Sequence, residues 1–251
     1  MATVYVFVNQ KGGVGKTTSA INIGAYMALA GKKTLLVDFD SQGNMSSGMG
    51  VKKTKPTVYE LIAGTAEAGE VIRGTTNPYL DVIPASIELA GAAVELAGVK
   101  ERDFFLKNAM EPVKERYEYI LIDCPPSLGV LTVNGLATAD KALIPMQCEF
   151  FALEGVSLLL QTIKRVQQTI NPRLGIGGIF FTMYDSRTRL ANDVVLQVKS
   201  YFKETVFPTI VPRNVKLSEA PSHGLPICDY DADCAGARSY KQLAEEVIAR
   251  G

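Results

Sequence analysis

The segment Lys11-Gly12-Gly13-Val14-Gly15-Lys16-Thr17-Thr18 constrains this chain more than any other. It follows a short apolar, β-branched run, Val4 to Val8, which reads as a buried strand. It precedes Thr17 to Ala30, where Ile21, Ile23, Ala25 and Leu29 recur at helical spacing and Gly31 ends the helix as a C-cap. Thr34 to Val37 is a second buried strand. Strand, glycine turn, helix and strand make a βαβ unit, so the sheet is expected to be parallel. A glycine turn leading into a helix N-terminus gathers backbone N–H groups and about half a positive charge at one point. Glycines let that backbone take positive φ and approach phosphates closely. Lys16 can reach the β- and γ-phosphates, and Thr17 offers a hydroxyl to Mg²⁺.

The pattern continues along the chain. Further strands are expected at Leu80 to Ile83, Tyr119 to Ile122, Ala142 to Met146, Ile176 to Phe181 and Val206 to Val211. Ser86 is expected to cap a helix running through Leu96. Helices are also expected over Leu153 to Val166, Leu190 to Phe202 and Arg238 to Ile248. No Pro/Ser-rich linker breaks the series. The expectation is one α/β domain over residues 1–251, a doubly wound, mostly parallel sheet with helices on both faces.

With 47% hydrophobic residues a chain of 251 can build a sizeable core. Lys plus Arg and Asp plus Glu both number 26, so any nucleic-acid binding must come from a local patch, not from net charge. Cys124, Cys148, Cys228 and Cys234 fit neither a zinc site nor a disulfide framework and are expected as buried thiols. The start of the chain lacks a basic region ahead of its apolar run, and no stretch nears the roughly 18 apolar residues of a membrane span. A cytoplasmic protein is expected.

The loop departs from the usual Gly-x4-Gly-Lys-Ser/Thr pattern, because Gln10 stands at the first glycine position. Lys11 instead adds a second ammonium on the outer edge of the loop. It could not easily fold back over its own loop but could reach a nucleotide held by a facing copy. Asp123 follows the apolar run 119–122 and suits the water shell of a Mg²⁺ ion; Asp38 and Asp40 end the second strand on the same side. Pro125 and Pro126 stiffen the turn after Asp123. No Asn-Lys-x-Asp guanine-reading motif occurs, which favours adenine. Lone His223 is expected to steady a loop.

Four motifs then stand together: Lys11 to Thr18, Asp38-Phe-Asp-Ser-Gln-Gly43, Asp123-Cys-Pro-Pro-Ser127 and Pro212-Arg-Asn-Val-Lys-Leu-Ser-Glu-Ala-Pro-Ser-His-Gly224. In these the chain resembles the deviant-Walker-A ATPases, and among them the small chromosomal ParA/Soj partition ATPases, from about residue 3 to residue 249. The resemblance implies an ATP- and Mg²⁺-dependent sandwich homodimer that binds double-stranded DNA without sequence preference, at the nucleoid. A ParB-type partner stimulates its slow ATP hydrolysis. Lys11 would contact the opposite subunit's phosphates and Gly12 would lie at the dimer contact. Lys16 would be the phosphate lysine, Thr17 a metal ligand, Asp123 and Asp38 metal-shell carboxylates acting through water, and Asp40 the residue that orients the attacking water. Gly13, Val14, Gly15, Thr18, Met183, Pro212 and Asn214 complete the implied nucleotide site, with Pro212 and Asn214 against the adenine. Arg187, Arg189, Arg213 and Lys216 are the DNA-contacting candidates, with Lys199, Lys203, Arg238 and Lys241 as further cations in the same half.

Two positions depart from the family's common pattern. Ser41 stands where Pro is frequent, which loosens that turn, and Lys216 where Arg is frequent, which gives up bidentate phosphate geometry. The N-terminal helix-turn-helix of larger plasmid relatives is not expected. The alternative is a MinD-like membrane-positioning ATPase, but the closing helix carries Glu245 and Glu246 and lacks the basic, bulky apolar face such docking needs. Membrane binding is therefore not expected.

Overall fold

The computed structural model describes residues 2–150 and 152–251. Its principal elements are β1 (Thr3–Phe7), α1 (Lys16–Leu29), β2 (Thr34–Asp38), β3 (Arg73–Gly74), β4 (Leu80–Ile83), β5 (Tyr119–Asp123), α2 (Val130–Thr138), β6 (Lys141–Gln147), α3 (Ala152–Thr169), β7 (Gly175–Tyr184), α4 (Arg189–Phe202), β8 (Val206–Pro212) and α5 (Ala235–Ala249). They form an eight-stranded sheet in the order β3-β4-β2-β5-β1-β6-β7-β8. Every strand pair is parallel except β3 with β4.

Period-two alternation sorts the strand residues onto two buried faces. Val4 and Val6 of β1, Val37 of β2 and Ile120 and Ile122 of β5 face one cluster, closed by Leu136 of α2, Leu159 and Ile163 of α3 and Val198 of α4. Tyr5, Phe7, Leu36 and Leu121 face the other, closed by Ile23 and Met27 of α1 and Tyr240, Leu243 and Val247 of α5. Each such fully buried side chain contributes about 1.5–3 kcal/mol. The doubly wound, mostly parallel expectation therefore holds, because each strand needs cover on both sides.

The chain leaves β1 toward β2 on one side and returns to place β6, β7 and β8 on the other, with β5 inserted beside β1. The crevice at the carboxyl ends of β1, β5 and β2 lies at this change of direction, where open α/β sheets bind ligands.

Local differences from the sequence expectation have physical causes. Val8 lies beyond β1, although its N–H still bonds Leu143 O at 3.1 Å. Ser86 does not cap a helix: its hydroxyl lies 3.2 Å from that of Thr57, and the helix spans Leu89–Glu95 without a side-chain cap. β7 extends through Tyr184, three residues past the apolar run, because Thr182 still pairs with Gln147 of β6 and Tyr184 with Pro212 of β8. Short helices at Asn44–Gly48, Val58–Ile62, Ala68–Val71 and Phe105–Met110 are too brief to show a helical period. Cys124 is buried, but Cys148, Cys228 and Cys234 are only half-buried; all four are free thiols. Cys234 caps α5, its sulfur accepting from Ala237 N at 3.3 Å.

Candidate nucleotide site

The glycine loop joins β1 to α1 as the sequence requires. Gly13 and Gly15 take φ of 73° and 84°, left-handed values that a side chain would strain. Gln147 Nε2 donates to Gly13 O at 2.8 Å and Thr182 Oγ1 to Val14 O at 2.8 Å, so β6 and β7 brace the loop from the side. Gly12 faces the Pro125-Pro126 turn, with a Cβ built there 3.9 Å from Pro126 Cβ.

Lys16 and Lys11 point to different places. Lys16 is 7% exposed, and its ammonium donates to Asn9 O at 3.0 Å and Lys11 O at 3.2 Å, curled inside the loop. Burial holds its pKa below the ordinary lysine value, against the pull of Asp123. Lys11 extends outward, half-exposed, and pairs with Glu149 just beyond β6. Asn9 organises this split: its Oδ1 accepts from Lys11 N at 3.0 Å, and its Nδ2 donates to Pro145 O at 2.8 Å.

Three carboxylates gather beside the loop. Asp123 ends β5 fully buried; Thr17 Oγ1 donates to its Oδ2 at 2.6 Å, while its Oδ1 has no hydrogen-bond partner among the described residues. Burial, reinforced by Asp38, pushes its pKa up to about 8. A buried carboxylate oxygen without a donor is costly. A hard cation with its water shell fits this place, since Thr17 and Asp123 supply oxygen donors of the type Mg²⁺ takes. Asp38 is equally buried and its pKa is pushed up to about 6 by desolvation. Its Oδ2 accepts from Ser46 N at 2.8 Å and Ser46 Oγ at 2.6 Å. Asp38 thus anchors the helix at 44–48, a task the sequence expectation of a water-mediated metal contact did not foresee. Asp40 sits at the rim, 9% exposed, and its Oδ1 accepts from Gln42 N at 3.0 Å.

A cleft of about 320 Å³ opens on the other side of the loop. Gly15, Thr18, Met183, Pro212, Arg213 and Asn214 line it, with Tyr240 at its floor. Asn214 Oδ1 accepts from Lys216 N at 2.9 Å, fixing the turn after β8. Met183 has φ of 50° and its sulfur lies 2.9 Å from Gln147 Nε2. Met183, Pro212 and Asn214, far apart in sequence from the loop, therefore meet it in one cleft.

The cationic candidates divide. Arg187 Nε and Nη2 donate to Asp185 at 2.8 and 2.7 Å, which holds the Asp185 pKa down to about 2. Arg213 is close enough to Asp185 to add to that effect, and its N–H bonds Tyr184 O at 3.0 Å. Arg189 pairs loosely with Asp193 at 3.7 Å, and Lys216 with Glu219 at 2.9 Å over the Tyr230 ring. These four stand around the ends of β7 and β8. Lys199 and Lys203 lie toward the far end of α4, a helix of 14 residues and so about 20 Å long, and do not join them. Arg238 is turned onto Asp233 O at the start of α5. His223 stacks on Tyr230 at 4.9 Å between ring centres, as a loop-steadying residue would.

Sequence reasoning missed Asn9, Gln147, Thr182 and Glu149. All four lie at or just past strand carboxyl ends, and that position was the available signal.

A glycine loop between a central parallel strand and a helix, with a buried lysine inside it and carboxylates on the neighbouring strand ends, defines a P-loop nucleotide-binding protein. Residues 2–176 match the family described as AAA domain. The chain is 65% identical over 250 residues to the chromosome-partitioning ATPase Soj of Treponema pallidum, covering 100% of this chain and 98% of that protein. It is 51% identical to the sporulation initiation inhibitor protein Soj of Bacillus subtilis, covering all of both chains. The chain belongs to the Soj/ParA family of chromosome-partitioning ATPases. Among solved structures, cobyrinic acid a,c-diamide synthase of Mycobacterium smegmatis, with bound ADP and magnesium, superposes with a TM-score of 0.86 at 36% identity, covering 99% of this chain and 94% of that one. Pyrococcus furiosus cell division ATPase MinD shares the fold, with a TM-score of 0.82 at 24% identity over all of both chains. Among the described residues no helix is long and apolar enough to cross a membrane.

Proposed function

We propose that this chain is a DNA-partitioning ATPase in which Mg·ATP joins two copies into a sandwich dimer that holds DNA without sequence preference. A ParB-type partner then stimulates slow hydrolysis and releases it. The observation that carries this reading is the opposed setting of the two loop lysines. Lys16 curls into its own phosphate pocket, whereas Lys11 leaves the loop and ends on Glu149 at the surface. A cation placed there is of little use to its own nucleotide and well placed for that of a facing copy.

Within one subunit, Lys16 and the backbone N–H groups of residues 13–18 hold the phosphates. Thr17 and Asp123 would hold the magnesium and its water, and the ion would supply charge neutralisation at the phosphates. Asp38 fixes the turn that carries Asp40. Asp40 orients the attacking water. Met183, Pro212 and Asn214 enclose the adenine. Lys11 exchanges Glu149 for the partner copy's phosphates, and Gly12 lets the two backbones approach. The site's readiness for ATP and Mg²⁺ rests on the unpartnered Asp123 oxygen and the Thr17 hydroxyl beside it.

The dimer is tested by size exclusion of Asp40→Ala with Mg·ATP. Hydrolysis should stop and the protein should elute at twice the monomer mass. A monomeric Asp40→Ala saturated with ATP would remove the sandwich mechanism. The DNA surface is tested at Arg187. Nonspecific affinities are typically in the range of roughly 10⁻⁴ to 10⁻⁶ M and are salt-dependent. Arg187→Ala should weaken DNA retention by the ATP-bound dimer severalfold and reduce the salt slope by about one. Equal retention by variant and wild type would take Arg187 out of the interface.

The membrane-positioning alternative needs a free apolar helix face at the end of the chain. Tyr240, Leu243, Ala244 and Val247 of α5 are instead buried against the sheet, so this helix does not offer that face to a lipid surface.

A further inference from the structure

The turn that carries Asp40 is bound from outside by a lysine that none of the motifs includes. Gly43 N donates to Asp40 O at 2.8 Å and Gln42 N to Asp40 Oδ1 at 3.0 Å, so residue 42 directly sets the rotation of the Asp40 carboxylate. Lys53 Nζ donates to Gln42 O at 3.0 Å. Its stem lies flat on Gly43: a Cβ built there would be 2.6 Å from Nζ, 2.7 Å from Cε and 3.1 Å from Cδ. Gly43 is buried under that stem and has φ of 61°, a left-handed value suited to glycine.

We infer that Lys53 is a positioning residue for hydrolysis, which holds the Gln42 peptide and through it the Asp40 carboxylate. The inference rests on the proposed role of Asp40. Three observations converge on it. The ammonium meets the carbonyl of the same residue whose N–H meets Asp40. The aliphatic stem covers the one glycine on which the turn pivots. And Ser41 leaves the turn without a proline ring to fix φ, so restraint must come from elsewhere. A charge-assisted bond to a backbone carbonyl supplies that restraint. Small misplacements of a group that orients a reactant are costly in rate, while phosphate binding, carried by the loop on β1, is not affected.

The test is single-turnover phosphate release from Mg·ATP with enzyme in excess, with and without DNA, for wild type, Lys53→Met, Lys53→Arg and Asp40→Ala. Methionine keeps much of the stem and removes the donor. Lys53→Met should release phosphate at least about fivefold more slowly, the rate equivalent of one lost hydrogen bond. Its ATP affinity should stay within about twofold and its melting temperature within about one degree of wild type, as expected for an exposed surface change. Lys53→Arg, which retains a donor, should recover most of the rate. A wild-type rate in Lys53→Met, with Asp40→Ala inactive, overturns the role of Lys53 alone. Hydrolysis persisting in Asp40→Ala overturns the reading of Asp40 and the inference with it. A parallel loss of ATP affinity and melting temperature in Lys53→Met would show a merely structural role and overturn it as well.

Discussion

Lys16→Ala should lower affinity for Mg·ATP by about a hundredfold or more while the chain stays folded. The Lys16 ammonium is buried, and among the described residues its donors go to the carbonyls of Asn9 and Lys11. Those are neutral acceptors for a desolvated cation, and the depressed pKa reports how poorly they replace water. A phosphate brought to the loop meets that cation at short range in a site water has left. Charge-assisted bonds of this kind contribute about 1.5–3 kcal/mol each, and 3 kcal/mol corresponds to roughly a 150-fold change in Kd. Alanine removes the cation and keeps the helix, since position 16 is the first residue of α1 and alanine is the best helix former. Titration calorimetry with a nonhydrolysable ATP analogue measures the loss. A variant within tenfold of wild-type affinity would show that the backbone cradle, not the ammonium, holds the phosphates.

The second large effect concerns Asp123 and pH. Burial chiefly pushes its pKa up to about 8, with the neighbouring Asp38 adding to the rise, and burial likewise pushes that of Asp38 up to about 6. A carboxyl with a folded pKa above its unfolded value, 3.8 here, takes up a proton on folding. Its contribution to stability is complete below about pH 4 and is lost as pH rises toward about 8. The nucleotide-free protein should therefore melt at progressively lower temperature between about pH 5 and pH 8. Asp123→Asn should flatten that slope and raise stability at pH 8 by about 1–3 kcal/mol, because it removes a buried charge whose Oδ1 has no donor among the described residues. The same variant should lose Mg²⁺-dependent nucleotide binding. Melting curves across this pH range, with and without Mg·ATP, separate the effects. In wild type the slope should shrink once Mg·ATP is bound. An identical slope in Asp123→Asn would show that other groups govern the pH dependence.

Much of this site can be read along the chain because its parts are local. Gly12 to Thr18 are contiguous, and their place between an apolar strand and a helical period is visible without coordinates. Asp38, Asp40 and Asp123 can be read because each closes an apolar run, and a strand's carboxyl end is where ligands gather. The bracing of that loop was not legible. Gln147 and Thr182 hold carbonyls of residues 13 and 14 across more than 130 residues of chain, and nothing in a glutamine or threonine by itself announces such a bond. The pairing of Lys11 with Glu149 and of Arg187 with Asp185 is likewise a matter of rotamer and neighbour. Ser86 shows the converse. A serine before an apolar run is a reasonable cap, yet its hydroxyl is taken by Thr57 once the helix at 58–62 packs beside it.

The loop that first constrained this chain marks the division. By itself the sequence determined that residues 11–18 form a glycine loop between a strand and a helix, that the sheet is mostly parallel and that carboxylates stand at its carboxyl edge, because hydrophobic period and glycine conformation act over a few neighbouring residues. Only the tertiary structure decided that Lys16 turns in while Lys11 turns out, that Asp38 is spent on Ser46 while Asp123 keeps a bare oxygen, and that Lys53 lies across Gly43. Those outcomes depend on which side chains compete for the same buried donors and acceptors, and that competition exists only once distant strands have been brought together.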